Sequence, residues 1–264
     1  MEYVNAVILG IIQGLAEFLP ISSSGHLVIA DALLREFGNL STPKSGVTME
    51  VALHFGTLLS ILVVYRHDLW QLLNQRRLIL MIVLATIPVG IAGIALKSTL
   101  EQLFQEPIIA GFALLATAGL LLIGQKLQYP DPVELDKINL RQTLTIGLFQ
   151  AIAIVPGISR SGSTIAAGMA SGLSRESAAR FSFLIAIPAI GGATVLQLKK
   201  LLTGEEQVSG SPLALTLGTL AAFVVGLLAL RWMIRLVVAD RLHYFALYCL
   251  LAGGCTIIWQ LLAG

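Results

Sequence analysis

Charge is scarce in this sequence. Only 12% of its 264 residues are Asp, Glu, Lys or Arg, against about a quarter in an ordinary soluble domain. With 56% hydrophobic residues, too little polar surface remains to coat a water-soluble globule of this length. The bilayer must be the solvent for much of the surface. A net charge of +2 with no long basic run gives no argument for nucleic acid as a partner. The two cysteines, Cys249 and Cys255, are six apart in one apolar segment. That is neither a CxxC spacing nor a pair one helix can bridge, so no redox or metal motif is read there. No polar linker divides the chain, so residues 1–264 are read as one membrane domain. No basic residue precedes the first apolar stretch, which is therefore expected to stay in the protein rather than be cleaved as a signal peptide.

The long apolar runs are what is there. A spanning helix needs about 20 mostly apolar residues. Leu78–Leu96, Ile108–Gly124, Phe181–Leu198, Pro212–Leu230 and Phe245–Leu262 qualify, and Val51–Tyr65 is a shorter sixth. Two further segments, Val4–Leu34 and Leu144–Met169, are each broken in the middle, by Pro20–His26 and Pro156–Ser163. Each half is too short to cross alone. Irregular backbone at membrane depth is tolerated only where protein or a watery cavity surrounds it. The expected fold is an all-α polytopic membrane protein with about six spanning helices plus two re-entrant helix–loop–helix pairs.

The two broken segments match each other at an offset of 137: Gly10 with Gly147, Gln13 with Gln150, Ala16 with Ala153, Ile21 with Ile158, Ser22 with Ser159, Ser24 with Ser161 and Gly25 with Gly162. This predicts an internal repeat, about 1–125 and about 138–264, with a site at the interface of the two halves. If each broken segment returns to its own side, one face collects eleven cations, Arg66, Arg76, Arg77, Lys126, Lys137, Arg141, Arg175, Arg180, Arg231, Arg235 and Arg241. The other face collects Arg35, Lys44, Lys97, Lys199 and Lys200. Cytoplasmic loops carry the excess of Lys and Arg. The repeats are then inverted and both termini lie outside.

Ionisable residues at membrane depth are costly and mark function. Glu17 and His26 flank the first break, and Arg160 lies in the second. Ser22, Ser23, Ser24 and Gly25 lead into one apolar run; Ser159, Ser161, Gly162, Ser163 and Thr164 lead into another. Helix N-termini offer free N–H groups and a favourable dipole to an anion. Serines add donors, and Arg160 adds a fork suited to phosphate oxygens. A single serine before a helix is more often just an N-cap, but a cap needs one serine and each break supplies a cluster. The pattern reads as a phosphate or diphosphate cradle. A hydroxyl beside His26 adds a nucleophile with a base. Glu17, with Gln13 four residues before it on the same helix face, is a candidate holder of a divalent cation or an orienter of His26.

At these residues the sequence resembles the undecaprenyl-pyrophosphate phosphatase family, also called the bacitracin-resistance protein family. The first family motif is read in Gln13-Gly14-Leu15-Ala16-Glu17 and continues through Pro20-Ile21-Ser22-Ser23-Ser24-Gly25-His26. The second is Pro156-Gly157-Ile158-Ser159-Arg160-Ser161-Gly162-Ser163-Thr164. The resemblance implies a bacterial inner-membrane enzyme of inverted repeats that hydrolyses the C55 isoprenoid diphosphate to the monophosphate. It also implies stimulation by Mg²⁺ or Ca²⁺ and bacitracin resistance on overexpression. By matching position it puts Glu17, Ser23, His26 and Arg160 in catalysis, while the chemistry of the residues themselves places Ser22, Ser24, Gly25, Ser159, Ser161, Gly162 and Thr164 around the phosphates and Gln13 with Glu17 on the metal. Gln13 stands where the family motif also takes a glutamate, which leaves one carboxylate for the cation. The nucleophile is left among Ser23 with His26 as base, His26 itself, and metal-bound water. The lipid substrate and membrane lipids are the expected partners, with a homo-oligomer left open. Two rivals stand beside this reading. A secondary transporter shares the layout of broken helices but needs no general base. A phosphatase of the phosphatidic-acid type is suggested by Ser24-Gly25-His26, but its other motifs are missing.

Overall fold

The structure is a computed structural model that describes residues 2–37, 47–127, 129–205 and 210–263. Lys44 and the side chain of Arg35 lie outside the described residues. Twelve α-helices make up the described chain: α1 Glu2–Ala16, α2 Ser23–Phe37, α3 Val47–Val64, α4 Arg66–Leu72, α5 Arg76–Ala95, α6 Lys97–Leu103, α7 Pro107–Lys126, α8 Leu140–Ile152, α9 Arg160–Ala170, α10 Arg175–Leu202, α11 Pro212–Val238 and α12 His243–Ala263. Five of them, α5, α7, α10, α11 and α12, are long and apolar enough to cross a membrane. Helices α3 and α4, bent by 71° at Tyr65, are together long and apolar enough to count as a sixth. The chain is a multi-pass membrane protein.

Starts of helices are written in the sequence. Pro107 and Pro212 stand at first helical positions, where a missing N–H costs nothing. Asn139 and Gln142 form a capping box on α8, and the hydroxyls of Ser159, Ser174 and Ser211 cap α9, α10 and α11.

Shifted by 137 residues, α1 falls on 139–153, α2 on 160–174, α3 on 184–201, α5 on 213–232 and α7 on 244–263. These positions are those of α8, α9, α10, α11 and α12. Packing follows the same offset. Gly10 of α1 lies so close to α11 that a Cβ there would stand 2.4 Å from the Gly218 carbonyl oxygen and 3.1 Å from the Ala222 nitrogen. Its counterpart Gly147 of α8 presses on α5, where a Cβ would stand 2.7 Å from the carbonyl oxygen of Ala85, the counterpart of Ala222. Lipid tails are as apolar as leucine, so close backbone approach through small residues, rather than hydrophobic burial, holds such helices together.

Polar contacts sort the helix ends into two groups. At one end of the bundle Arg180 pairs with Asp68 and Arg175 with Asp240. There Arg77 donates to the carbonyls of Asp136 and Ile138, and Gln125 donates to that of Asp240. The outer ends of α8 and α9 meet at this end, where Gln142 donates to the Ser171 carbonyl and Tyr129 to that of Ala170. At the other end Glu2 accepts from the Ser211 N–H, and Glu36 accepts from the Trp259 indole. The α1–α2 pair thus opens toward one end and the α8–α9 pair toward the other. Phe18, fully buried in the first break, packs edge-on against Phe183 of α10 with ring centroids 6.1 Å apart, which anchors the break inside the bundle.

Candidate active site

The two breaks meet. Ser22 Oγ accepts from the N–H of Gly25 in its own helix and from the N–H of Gly157 in the other break, both at 3.2 Å. Ser22 holds φ of 66° and Gly157 φ of 98°, the left-handed region where only glycine is unstrained. A Cβ on Gly157 would stand 2.4 Å from the Ala110 carbonyl oxygen, and one on Gly25 would stand 2.7 Å from the Gly157 Cα. Both glycines are there for backbone approach. The Ser161 hydroxyl donates to the Leu19 carbonyl at 3.2 Å, a second tie between the loops.

Glu17 is the centre of the cluster, and three donors converge on its carboxylate. Arg160 Nη2 reaches Oε1 at 2.6 Å. Gln13 Nε2 and Ser23 Oγ reach Oε2 at 3.0 and 3.2 Å. The Glu17 side chain is 8% exposed and that of Arg160 16%. The pair therefore sits where water screens it weakly. Arg160 Nη1 is buried without a partner. One arm of the guanidinium holds Glu17 and the other is free.

His26 takes a different direction. Its Nδ1 lies 2.7 Å from the Ser22 carbonyl oxygen, which can only accept, so Nδ1 carries the proton. Its Nε2 lies 2.6 Å from the Tyr248 hydroxyl of α12. Ser23 donates to Glu17, while both ring nitrogens of His26 are engaged elsewhere. The expected phosphate-binding residues divide. Ser24 lies 3.3 Å from Ser22 through their hydroxyls. Ser159 caps the Gly162 N–H, and its own N–H goes to Thr117 of α7. Thr164 bonds Ser182 of α10 at 2.6 Å. Ser159, Ser161 and Thr164 are at most 1% exposed, so in this arrangement they brace the second loop. Two residues at the site escaped the sequence reading. His54 of α3 donates from Nδ1 to the Glu50 carbonyl, and its Nε2 lies 3.9 Å from Glu17 Oε2. The signal was available, an ionisable residue inside an apolar segment. Tyr248 gave no signal, because a tyrosine in an apolar run near a helix end is ordinary.

Among the described residues no three His, Cys, Asp or Glu side chains cluster as metal ligands. Oε1 of Glu17 is taken by Arg160 and Oε2 accepts from Gln13 and Ser23, so a cation here would displace those two donors from Oε2 and take the Gln13 carbonyl oxygen beside it. This sparse set fits Mg²⁺, which takes one or two carboxylates together with substrate phosphates. It does not make a cage for a cation alone.

A family model described as bacitracin resistance protein BacA matches residues 6–255. The chain belongs to the BacA family. The match covers both breaks and the part of α12 that carries Tyr248. Among curated relatives, the undecaprenyl-diphosphatase of Rhodopirellula baltica is 45% identical over 261 residues, 98% of this chain and 99% of the relative. That of Bacteroides thetaiotaomicron is 41% identical over 272 residues, 99% of this chain and all of the relative. That of Methanobrevibacter smithii is 37% identical over 276 residues, 96% of each.

Proposed function

We propose that this BacA-family chain is an undecaprenyl-diphosphate phosphatase, which hydrolyses the C55 isoprenoid diphosphate to the monophosphate and so returns the carrier lipid to cell-wall synthesis. Overexpression then confers bacitracin resistance. The observation that carries the reading is the Glu17 carboxylate, at which the two breaks supply a hydroxyl, an amide and a guanidinium with a free arm. Near-full-length identity to undecaprenyl-diphosphatases supports the substrate.

In the mechanism we infer, the free arm of Arg160 and the N–H groups at the starts of α2 and α9 bind the diphosphate. Ser23 Oγ attacks the terminal phosphorus and its proton passes to Glu17 Oε2, the acceptor it already faces. The Oγ–P bond forms as the P–O–P bridge to the lipid monophosphate breaks. Water then attacks the phosphoserine. Ser23 recovers its proton from Glu17, the proton of the attacking water passes to His26, and inorganic phosphate leaves. Positioning and charge neutralisation supply most of the rate in phosphoryl transfer. Gln13 and Glu17 would hold a Mg²⁺ or Ca²⁺ ion, which contributes neutralisation of phosphate charge. We further infer an inverted repeat in a bacterial inner membrane. The opposite opening of the α1–α2 and α8–α9 pairs supports the inversion. The cations near the α8–α9 opening support that end as cytoplasmic, with both termini outside.

The test is phosphate release from C55 diphosphate by purified protein in detergent, with Mg²⁺ and with chelator, beside Arg160→Ala. Metal-dependent release that the variant loses is the expected result. No release from folded protein under any metal condition overturns the reading and turns attention to flux of an anion through the same site.

A further inference from the structure

We propose that Tyr248 is the positioning residue for His26, holding the imidazole in one orientation through both of its protonation states. This rests on the phosphatase reading above. The first support is the hydrogen-bond pattern of the ring. The Ser22 carbonyl accepts from Nδ1–H at 2.7 Å, so a neutral His26 presents only a lone pair at Nε2. The Tyr248 hydroxyl meets Nε2 at 2.6 Å and donates to it. When the ring takes a second proton, both nitrogens become donors. A carbonyl at Nδ1 still accepts. At Nε2 a hydroxyl serves in either state, because it turns its own proton away and accepts. A carbonyl or an ammonium in the place of Tyr248 would serve one state alone. The pair is therefore matched to a ring that gains and loses a proton during turnover.

The second support is how Tyr248 is held. Its ring lies nearly parallel to the imidazole, at 11° with centroids 5.5 Å apart. The next residue, Cys249, is fully buried, and its thiol reaches the Pro20 carbonyl in the first break at 3.6 Å. Helix α12 thus touches the first break on both sides of Ser22. Tyr248 itself is 44% exposed. Its oxygen keeps lone pairs free while it donates to Nε2.

The test compares wild type, Tyr248→Phe, His26→Gln and the double variant in detergent, by release of phosphate from C55 diphosphate. Tyr244→Phe, one turn earlier on α12 and 58% exposed, serves as the control with wild-type turnover. Loss of one hydrogen bond that orients the ring is expected to lower kcat about tenfold with KM within twofold of wild type. In the His26→Gln background Tyr248→Phe should have no further effect. Tyr248→Phe at wild-type kcat, or the same drop in both backgrounds, overturns the proposal. A readout free of activity is the ¹⁵N spectrum of histidine-labelled protein. There Tyr248→Phe should move the Nε2 resonance of His26 and leave its Nδ1 protonated; an unmoved Nε2 resonance overturns the proposal whatever the kinetics. Wild type that releases no phosphate, with the resonance shift present, removes the phosphatase reading and leaves the His26–Tyr248 pairing standing without its catalytic role.

Discussion

The two arms of Arg160 can be separated by one substitution. Nη2 holds Glu17 at 2.6 Å and Nη1 is buried with no partner. Lysine carries one compact ammonium in place of the fork. In Arg160→Lys that ammonium takes over the contact with Glu17, and nothing replaces the second arm. A hydrogen bond to a charged group is worth about 1.5–3 kcal/mol. At about 1.4 kcal/mol per tenfold, kcat/KM should fall about 10- to 100-fold. Stability should move the other way or not at all. An unpartnered buried donor costs about 1–3 kcal/mol in the free protein, and the lysine removes it. Arg160→Ala differs in both readouts. It leaves a buried carboxylate without its counter-charge, which costs about 3–5 kcal/mol, and it abolishes turnover. The assays are initial rates of phosphate release over a range of C55 diphosphate, with thermal unfolding in the same detergent. Arg160→Lys within threefold of wild-type kcat/KM would refute the assignment of the free arm to substrate.

Ser23→Ala should lower turnover by at least about a hundredfold with folding intact; near-full turnover would exclude the serine as nucleophile. Gly157→Ala places a Cβ 2.4 Å from the Ala110 carbonyl oxygen at a φ of 98°, so the folded fraction recovered in detergent should drop sharply, and a normal yield would count against the close approach of the two breaks. Gly14→Val pushes α1 off α11, since a Cβ there already meets the Ala222 carbonyl oxygen at 2.8 Å; a loss of about 1–3 kcal/mol is expected in thermal unfolding, and an unchanged midpoint would contradict that packing. Chelation should remove phosphate release and restored Mg²⁺ should return it; release that persists in chelator excludes a cation held through Gln13 and Glu17.

Much of this was legible because membrane depth makes polar residues conspicuous. The breaks read at Pro20–His26 and Pro156–Ser163 interrupt apolar runs, and each overlaps a real one that starts and ends three to four residues earlier, 17–22 between α1 and α2 and 153–159 between α8 and α9. Glu17 and Arg160 were found for the same reason, and they meet at 2.6 Å. Pairings across the fold were not legible. That His26 faces Tyr248 depends on where α12 settles against the first break, and that Ser23 faces Glu17, six residues before it, depends on how the first break turns. The apolar composition of α12 constrains its length and leaves its rotation open. The bracing role of Ser159 and Thr164 was hidden likewise, because their partners Thr117 and Ser182 lie on other helices.

On the repeat inferred above, the offset of 137 accounts for two similar halves making one candidate site and not two. Ser23 falls on Arg160, His26 on Ser163 and Glu17 on Ile154, while Gln13 falls on Gln150. The scaffold is shared and the chemistry is divided. One half brings the carboxylate, hydroxyl and imidazole; the other brings the cation. The consequence is visible at the glutamines. Gln13 donates to Glu17 at 3.0 Å. Gln150 has no carboxylate one turn on; its amide settles for the Ala85 carbonyl at 3.3 Å and its Oε1 has no partner. Ser163, in the place of His26, is likewise buried with an unpartnered hydroxyl. Restoring a carboxylate by Ile154→Glu should therefore not create a second site. Arg160, the cation of the same loop, is already committed to Glu17, and a buried carboxylate without a counter-charge is strongly destabilising. A variant that folded normally and bound a second diphosphate would show that the division of chemistry between the halves is incidental.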